Sequence, residues 1–191
     1  MPYLILILAW TVYFAIHSLM ASAFVKDYFS KKLKAKFHFY RLVYNILSII
    51  GLLGLLFLNG SIPAISFFQS NGVVRYFSLM LAAIGVFVIK DAFRQYKLGS
   101  FLGFKQEDES FSTNGILNKI RHPIYSGTIL IVLGFFLFSP NLPTLISVLC
   151  IFVYLAIGIN LEEKKLVQKF GDTYLEYKKK VPMLVPRNIF K

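Results

Sequence analysis

Two adjacent pairs of ionisable side chains stand at the edges of long apolar runs: Arg121-His122, followed at once by Pro123, and Glu162-Glu163. An arginine carries a permanent charge on a planar fork that matches a carboxylate. Histidine can take or give a proton near neutral pH, and a carboxylate accepts hydrogen bonds from ammonium or hydroxyl groups. Side chains of these types could hold a small molecule bearing a carboxylate, an amine and hydroxyls. Pro123 suits the first turn of a helix, because its missing N–H would lie unpaired there in any residue. Arg121 and His122 are thereby placed at a helix N-terminus, where the backbone dipole attracts an anion. On composition alone the same pair reads as a basic anchor at head-group level. Glu162 and Glu163 close the last apolar turn of their run, opposed by the helix dipole and facing a desolvation cost. A helix-to-helix ion pair with Arg121 or His122 would offset it, and so would a ligand with hydroxyls or positive charge. The residues leave both open.

A third group is His17-Ser18, inside the first apolar block. An ionisable group within a span is costly and faces the bundle interior or a cavity. Here the alternative to chemistry is a neutral imidazole bonded to another helix. Arg41, Tyr44 and Asn45 begin the second block, and Lys90, Asp91 and Arg94 close the third. Asp91 and Arg94, three apart, can pair along one helix face. Cys150 is the single cysteine and lies in an apolar run, so neither an internal disulfide nor a structural zinc site is expected.

The elements that must position these groups are membrane spans. Of 191 residues, 57% are hydrophobic and only 16% charged, too few charges for an ordinary soluble domain. A span takes about 20 predominantly apolar residues. Five stretches qualify: Tyr3 to Val25, Leu42 to Leu58, Val73 to Phe93, a short Ile124 to Phe138, and Leu142 to Leu161. The expected fold is an all-α, multi-pass bundle in one domain, residues 1–191, with three spans in 1–95 and a helical hairpin plus tail helix in 96–191. Ser139-Pro140-Asn141-Leu142-Pro143 turns the fourth span straight into the fifth. The first block lacks a basic start and carries Trp, Tyr and His, so it reads as a retained span rather than a cleaved signal. Ser61 to Phe68, apolar but short and proline-interrupted, is expected at the interface.

The net charge of +12 in a soluble protein would suggest nucleic acid. Here the basic residues alternate with the spans, so a bilayer and no nucleic acid is expected as partner. They fall between spans one and two (Lys26, Lys31, Lys32, Lys34, Lys36, Arg41), three and four (Lys97, Lys105, Lys119, Arg121), and after span five (Lys164 to Lys191). Cytoplasmic loops are the ones enriched in Lys and Arg, which puts the N-terminus outside and the C-terminus in the cytoplasm. Glu107-Asp108-Glu109 marks a solvated loop. From Leu161 to Lys180, apolar residues recur at helical spacing against a charged face, predicting an amphipathic tail helix on the cytoplasmic surface. Val181 to Pro186 reads as an extended, membrane-hugging end.

The run GILNKIRHPIYSG, the hairpin, and then LEEKKLVQKFGDTYLEYKKKVPMLVP resemble integral-membrane methyltransferases, the group that includes isoprenylcysteine carboxyl methyltransferase and phospholipid N-methyltransferases. His17-Ser18-x-x-Ala21-Ser22, Tyr40-Arg41-Leu42-x-Tyr44-Asn45 and Phe101-Leu102-Gly103-Phe104-Lys105-Gln106 are similar to the nurim branch, which includes methanethiol S-methyltransferase. The resemblance implies S-adenosylmethionine as methyl donor, held by Arg121, His122, Tyr125, Glu162, Glu163 and Tyr174. It leaves His17 and Arg41 as catalytic candidates, with His17 or His122 as base. The implied acceptor is small or lipophilic: a thiol such as methanethiol, or an isoprenylcysteine-like carboxyl, with a phospholipid amine as a variant. Two other readings remain: a non-catalytic nurim-like membrane protein, and an NADPH-dependent membrane reductase with a similar hairpin. No additional basic cluster suited to a 2′-phosphate supports the latter.

Overall fold

The computed structural model describes residues 1–34, 37–95 and 113–187. Seven α-helices are found there: α1 (Pro2–Ala21), α2 (Ala23–Leu33), α3 (Phe37–Ser61), α4 (Gly72–Gln95), α5 (Pro123–Phe138), α6 (Leu142–Phe170) and α7 (Asp172–Lys180). A 3₁₀ turn at Gly115–Asn118 precedes α5. Lys36, Lys97, Lys105, Lys191, the Phe101–Gln106 motif and the acidic run Glu107–Glu109 lie outside the described residues.

Helices α1, α3, α4 and α6 each contain a stretch long and apolar enough to cross a bilayer. Their outward faces carry exposed Leu4, Leu8, Val12, Leu47, Leu53, Phe57 and Val153, as a bundle solvated by lipid tails requires. The protein is an all-α integral-membrane bundle. Helix α5 is apolar throughout but has 16 residues, about 24 Å at 1.5 Å per residue.

Three features differ from the sequence expectation. The first span ends at Ala21 rather than Val25, because Ser22 is extended and its Oγ accepts a hydrogen bond from Val25 N at 3.3 Å, capping a separate helix. The tail is not one helix from Leu161 to Lys180. Helix α6 runs on to Phe170, Gly171 turns the chain at φ +53°, and α7 starts afresh, a left-handed conformation that suits glycine. Val181 to Pro186 follows a bent path after an extended Val181 and lies along the mouth of α5. Arg121 N and His122 N donate to Pro182 O and Met183 O at 2.9 and 3.1 Å, and Ser126 Oγ donates to Leu184 O at 2.7 Å.

The Pro140–Pro143 turn does reverse the chain into α6, with Asn141 Oδ1 accepting from Thr144 N at 3.0 Å. The tightest packing of α5, however, is against α4. A Cβ on Gly127 would stand 2.5 Å from Gly85 O, and one on Gly134 would stand 2.6 Å from Ser78 O. Small residues let membrane helices approach this closely. On the other side, α1, α3 and α6 are tied by a buried chain of polar groups. Trp10 Nε1 donates to Ser147 Oγ (2.9 Å), Ser147 Oγ to Asn59 Oδ1 (2.9 Å) and Asn59 Nδ2 to Thr144 Oγ1 (3.3 Å). Each such interhelical bond contributes about 0.6 kcal/mol in a membrane.

Gly127→Val forces two backbones apart and is expected to lower stability in detergent by about 1–3 kcal/mol, read from the midpoint of a denaturant titration. Gly54→Ala, whose Cβ would meet nothing within 4 Å, is expected to leave that midpoint within about 0.5 kcal/mol or to raise it. Equal losses would show that the glycine contact is not a close approach.

Candidate active site

Helix α5 begins at Pro123, so Arg121 and His122 stand just outside its first turn. The far end of α6 carries Glu162 and Glu163, and α7 folds back beside them. The structure therefore brings Arg121, His122, Glu162, Glu163 and Tyr174 into one cluster where α5, α6 and α7 meet. Of these, the helix-to-helix ion pair is realised at Glu163. Its Oε1 accepts from Arg121 Nη2 at 2.7 Å, Arg121 Nε at 3.1 Å and His122 Nε2 at 3.3 Å. Its Oε2 accepts from Lys178 Nζ. Both Arg121 and Glu163 are buried, which a charge tolerates only when paired and hydrogen-bonded.

Two further donors of Arg121 are also engaged. Nη1 donates to Lys178 O and Val181 O, each at 2.8 Å. With Nε and Nη2 on Glu163, the fork thus clamps α6 to α7 and to the tail. This differs from the carboxylate-binding role suggested by residue type, because the intramolecular partners arrive first. Tyr177 OH donates to Leu117 O at 2.5 Å, fastening α7 to the 3₁₀ turn. Tyr174 is buried beside the ion pair. Burial, and then the nearby Glu163 charge, push its phenol up to about 12, so it remains neutral at physiological pH. Tyr177 closes the Phe170-Gly171-x-x-Tyr174-x-x-Tyr177 run, whereas Lys178 belongs to no motif; with Tyr174 they share one face of α7 at helical spacing.

Glu162 differs from its neighbour. Its side chain is 41% exposed, and Oε2 lies 3.8 Å from His122 Nδ1. A carboxylate can only accept, so His122 Nε2 must donate to Glu163. A neutral His122 then turns the lone pair of Nδ1 toward Glu162. At that separation the two atoms make no direct hydrogen bond, and the half-exposed Glu162 carboxylate is open to water or to an N–H or O–H of a bound molecule. Tyr125 packs edge-on against His122, ring centroids 5.5 Å apart. It also reaches α6, its hydroxyl 3.1 Å from where a Cβ on Gly158 would be.

His17 is not in this cluster. It sits among α1, α3 and α6, its ring nitrogens near Ser48 Oγ (3.1 Å) and Tyr44 OH (3.0 Å), in a second polar group apart from the first. Arg41 lies on α3, three residues before Tyr44, its guanidinium carbon 6.0 Å from the Phe37 ring centre. Arg94 and Asp91 pair along α4 at 3.9 Å.

Residues 73–173, more than half of the chain, match the family described as phospholipid methyltransferase. The chain belongs to that family. The matched region contains Arg121, His122, Tyr125, Glu162 and Glu163, the core of the cluster. Among curated members of this methyltransferase group, the chain is 31% identical over 122 residues to methanethiol S-methyltransferase of Pseudomonas deceptionensis, covering 63% of this chain and 43% of that protein. It is 33% identical over 90 residues to methanethiol S-methyltransferase 2 of Bradyrhizobium diazoefficiens, covering 46% and 33%. It is 36% identical over 83 residues to protein-S-isoprenylcysteine O-methyltransferase of Schizosaccharomyces pombe, covering 43% and 35%. The match thus spans less than half the length of each of these relatives. No solved structure matches the chain.

Arg121→Ala strands a buried carboxylate and is expected to cost about 3–5 kcal/mol of stability. Adding Glu163→Leu to Arg121→Met should cost less than Arg121→Ala alone, as measured by denaturant midpoints in one detergent. A loss below about 1 kcal/mol for the single variant would show that Glu163 is not held by this pair.

Proposed function

We propose that the protein is a membrane-embedded methyltransferase that uses S-adenosylmethionine and takes a small or lipophilic acceptor from the bilayer. The observation that carries this reading is the facing pair of acceptors, Glu162 and His122 Nδ1, beside a framework that belongs to a methyltransferase family. The donor molecule bears an ammonium and a ribose diol, which supply hydrogens of the kind that pair lacks. In this reading Glu162, His122 and Tyr125 meet the donor. Arg121, Glu163 and Tyr174, buried and mutually bonded, hold those three in place. When bound, the donor supplies a methyl group on a positively charged sulfur, open to in-line displacement by a nucleophile. The protein's share is alignment and exclusion of water.

A thiol acceptor is favoured by the relatives that act on methanethiol, and a carboxyl acceptor by the isoprenylcysteine relative. The distribution of basic residues supports a cytoplasmic cluster and C-terminus in a cell membrane, with α5 as the fourth of five spans and the N-terminus outside.

Calorimetric titration of the protein in detergent with S-adenosylmethionine should show saturable binding. Glu162→Gln, which keeps the shape and removes the charge, should weaken it about tenfold, the size of one charge-assisted hydrogen bond. Folded protein that binds NADPH and not S-adenosylmethionine would overturn this reading in favour of a reductase.

A further inference from the structure

Helix α2 takes no part in the candidate active site, yet its depth in the bundle is well defined. Helices α1 and α6 run the same way in matched register, since Trp10 bonds Ser147 at 2.9 Å and Ser18 meets Tyr154 at 3.1 Å. Ser22, one turn beyond Ser18, is therefore level with Gly158 on the α6 stripe formed by Tyr154, Gly158 and Glu162. One further turn brings α6 to Glu162, where its apolar run ends. Helix α2 starts at that depth, so it leaves the bundle at the edge of the hydrocarbon core.

The two faces of α2 differ. Val25, Phe29 and Leu33 are half-buried, and Phe29 stacks on Tyr40 of α3, ring centroids 4.8 Å apart. Phe24, Asp27, Tyr28, Lys31 and Lys32 are exposed, Phe24 at 80% and Tyr28 at 55%. Phe24, Tyr28 and Lys32 follow each other at intervals of four and form one outward stripe. Lys32 Nζ stands 5.9 Å from the Tyr28 ring centre, within cation–π range. Asp27 is taken by Lys31 at 2.7 Å, which leaves Lys32 and the exposed Lys34 as the charge at the end of the stripe. Lysines in a last turn suit the helix dipole alone, but the dipole gives no reason for outward aromatic rings. Helix α7 shows the contrast: it too ends in three lysines, yet its Tyr174 is buried and its Tyr177 half-buried.

We propose that the outer face of α2 is a binding site for anionic phospholipid. Phe24 and Tyr28 enter the boundary between headgroups and acyl chains, and Lys32 and Lys34 pair with the lipid phosphate. Aromatic rings at headgroup level, with lysines reaching past them to the charged layer, are the composition of a helix that lies in the interface. Choline and ethanolamine headgroups carry their own cation, which competes with lysine for the phosphate. A headgroup of net negative charge has no such competitor, so the two lysines select it. The site goes beyond the methyltransferase reading and does not depend on it.

Titration of the full chain in nonionic-detergent micelles at low salt compares phosphatidylglycerol with phosphatidylcholine. Each lysine at an anionic surface is worth about fivefold in affinity, so the protein should prefer phosphatidylglycerol by about tenfold or more. Lys32→Gln with Lys34→Gln should cut that preference to about threefold or less. Removing the same charge from α6, with Lys164→Gln and Lys165→Gln, should leave it within about twofold of the wild type. No preference in the wild type would overturn the site. So would equal losses in the two double variants, which would assign the preference to the whole basic end of the bundle. Insertion is read separately from Phe24→Trp in mixed phosphatidylcholine and phosphatidylglycerol vesicles. Lipids brominated near the top of the acyl chain should quench its emission beyond the quenching of Trp10, the single native tryptophan. Quenching equal to that of the wild type would overturn the seating of α2 in the interface. Neither measurement uses a methyl donor, so failure here is told apart from failure of the methyltransferase reading.

Discussion

The buried contact between Arg121 and Glu163 is the constraint around which the candidate site is arranged. Removing two charges from water is expensive, and the cost is met only when every donor and acceptor is used. The structure approaches that condition with four nitrogen donors from three side chains on Glu163 and two backbone carbonyls on Arg121. Because those partners come from α5, α6, α7 and the tail, satisfying one ion pair fixes the relative positions of four segments. The Val181 to Pro186 stretch is held for the same reason, since its carbonyls complete the bonding of residues 121, 122 and 126.

The rest of the bundle supplies rigidity by two other means. Between α4 and α5, glycine allows backbone contact, so dispersion forces act at short range over a seam with little side-chain freedom to lose. Between α1, α3 and α6, hydrogen bonds do the work: Trp10, Ser147, Asn59 and Thr144 at one level, Tyr13, His17, Tyr44 and Ser48 at another. In lipid these groups have no water to turn to, so a polar side chain within a span specifies its neighbour more sharply than leucine can. The two systems meet on α6, whose Glu163 faces the ion pair while its Tyr154–Glu162 stripe faces Tyr125 and α1.

Near-equivalent residues acquire different roles through this packing. Glu162 and Glu163 are adjacent in the chain, yet a helix turns by about 100° per residue, so one is buried under Arg121 and the other opens beside His122. The arginine that looks by type like an anion receptor becomes a clamp, because a carboxylate and two carbonyls are already within its reach.

The sequence by itself determined that the chain is an all-helical membrane bundle, since apolar runs of spanning length and basic loops can be read residue by residue. It also determined the hairpin turn at Pro140 and the pairs that would carry chemistry, because Pro123 and the Glu162-Glu163 step mark helix ends locally. Only the tertiary structure decided which acid meets which base and that Lys178 joins them. It likewise decided that His17 bonds to Tyr44 and Ser48 rather than to the first cluster, and that α5 lies tightest on α4. The reason is physical. Span boundaries follow from the free energy of single segments in lipid, whereas partner choice depends on the rotation and depth of each helix, which are set jointly by glycine contacts and hydrogen bonds between residues far apart in the chain.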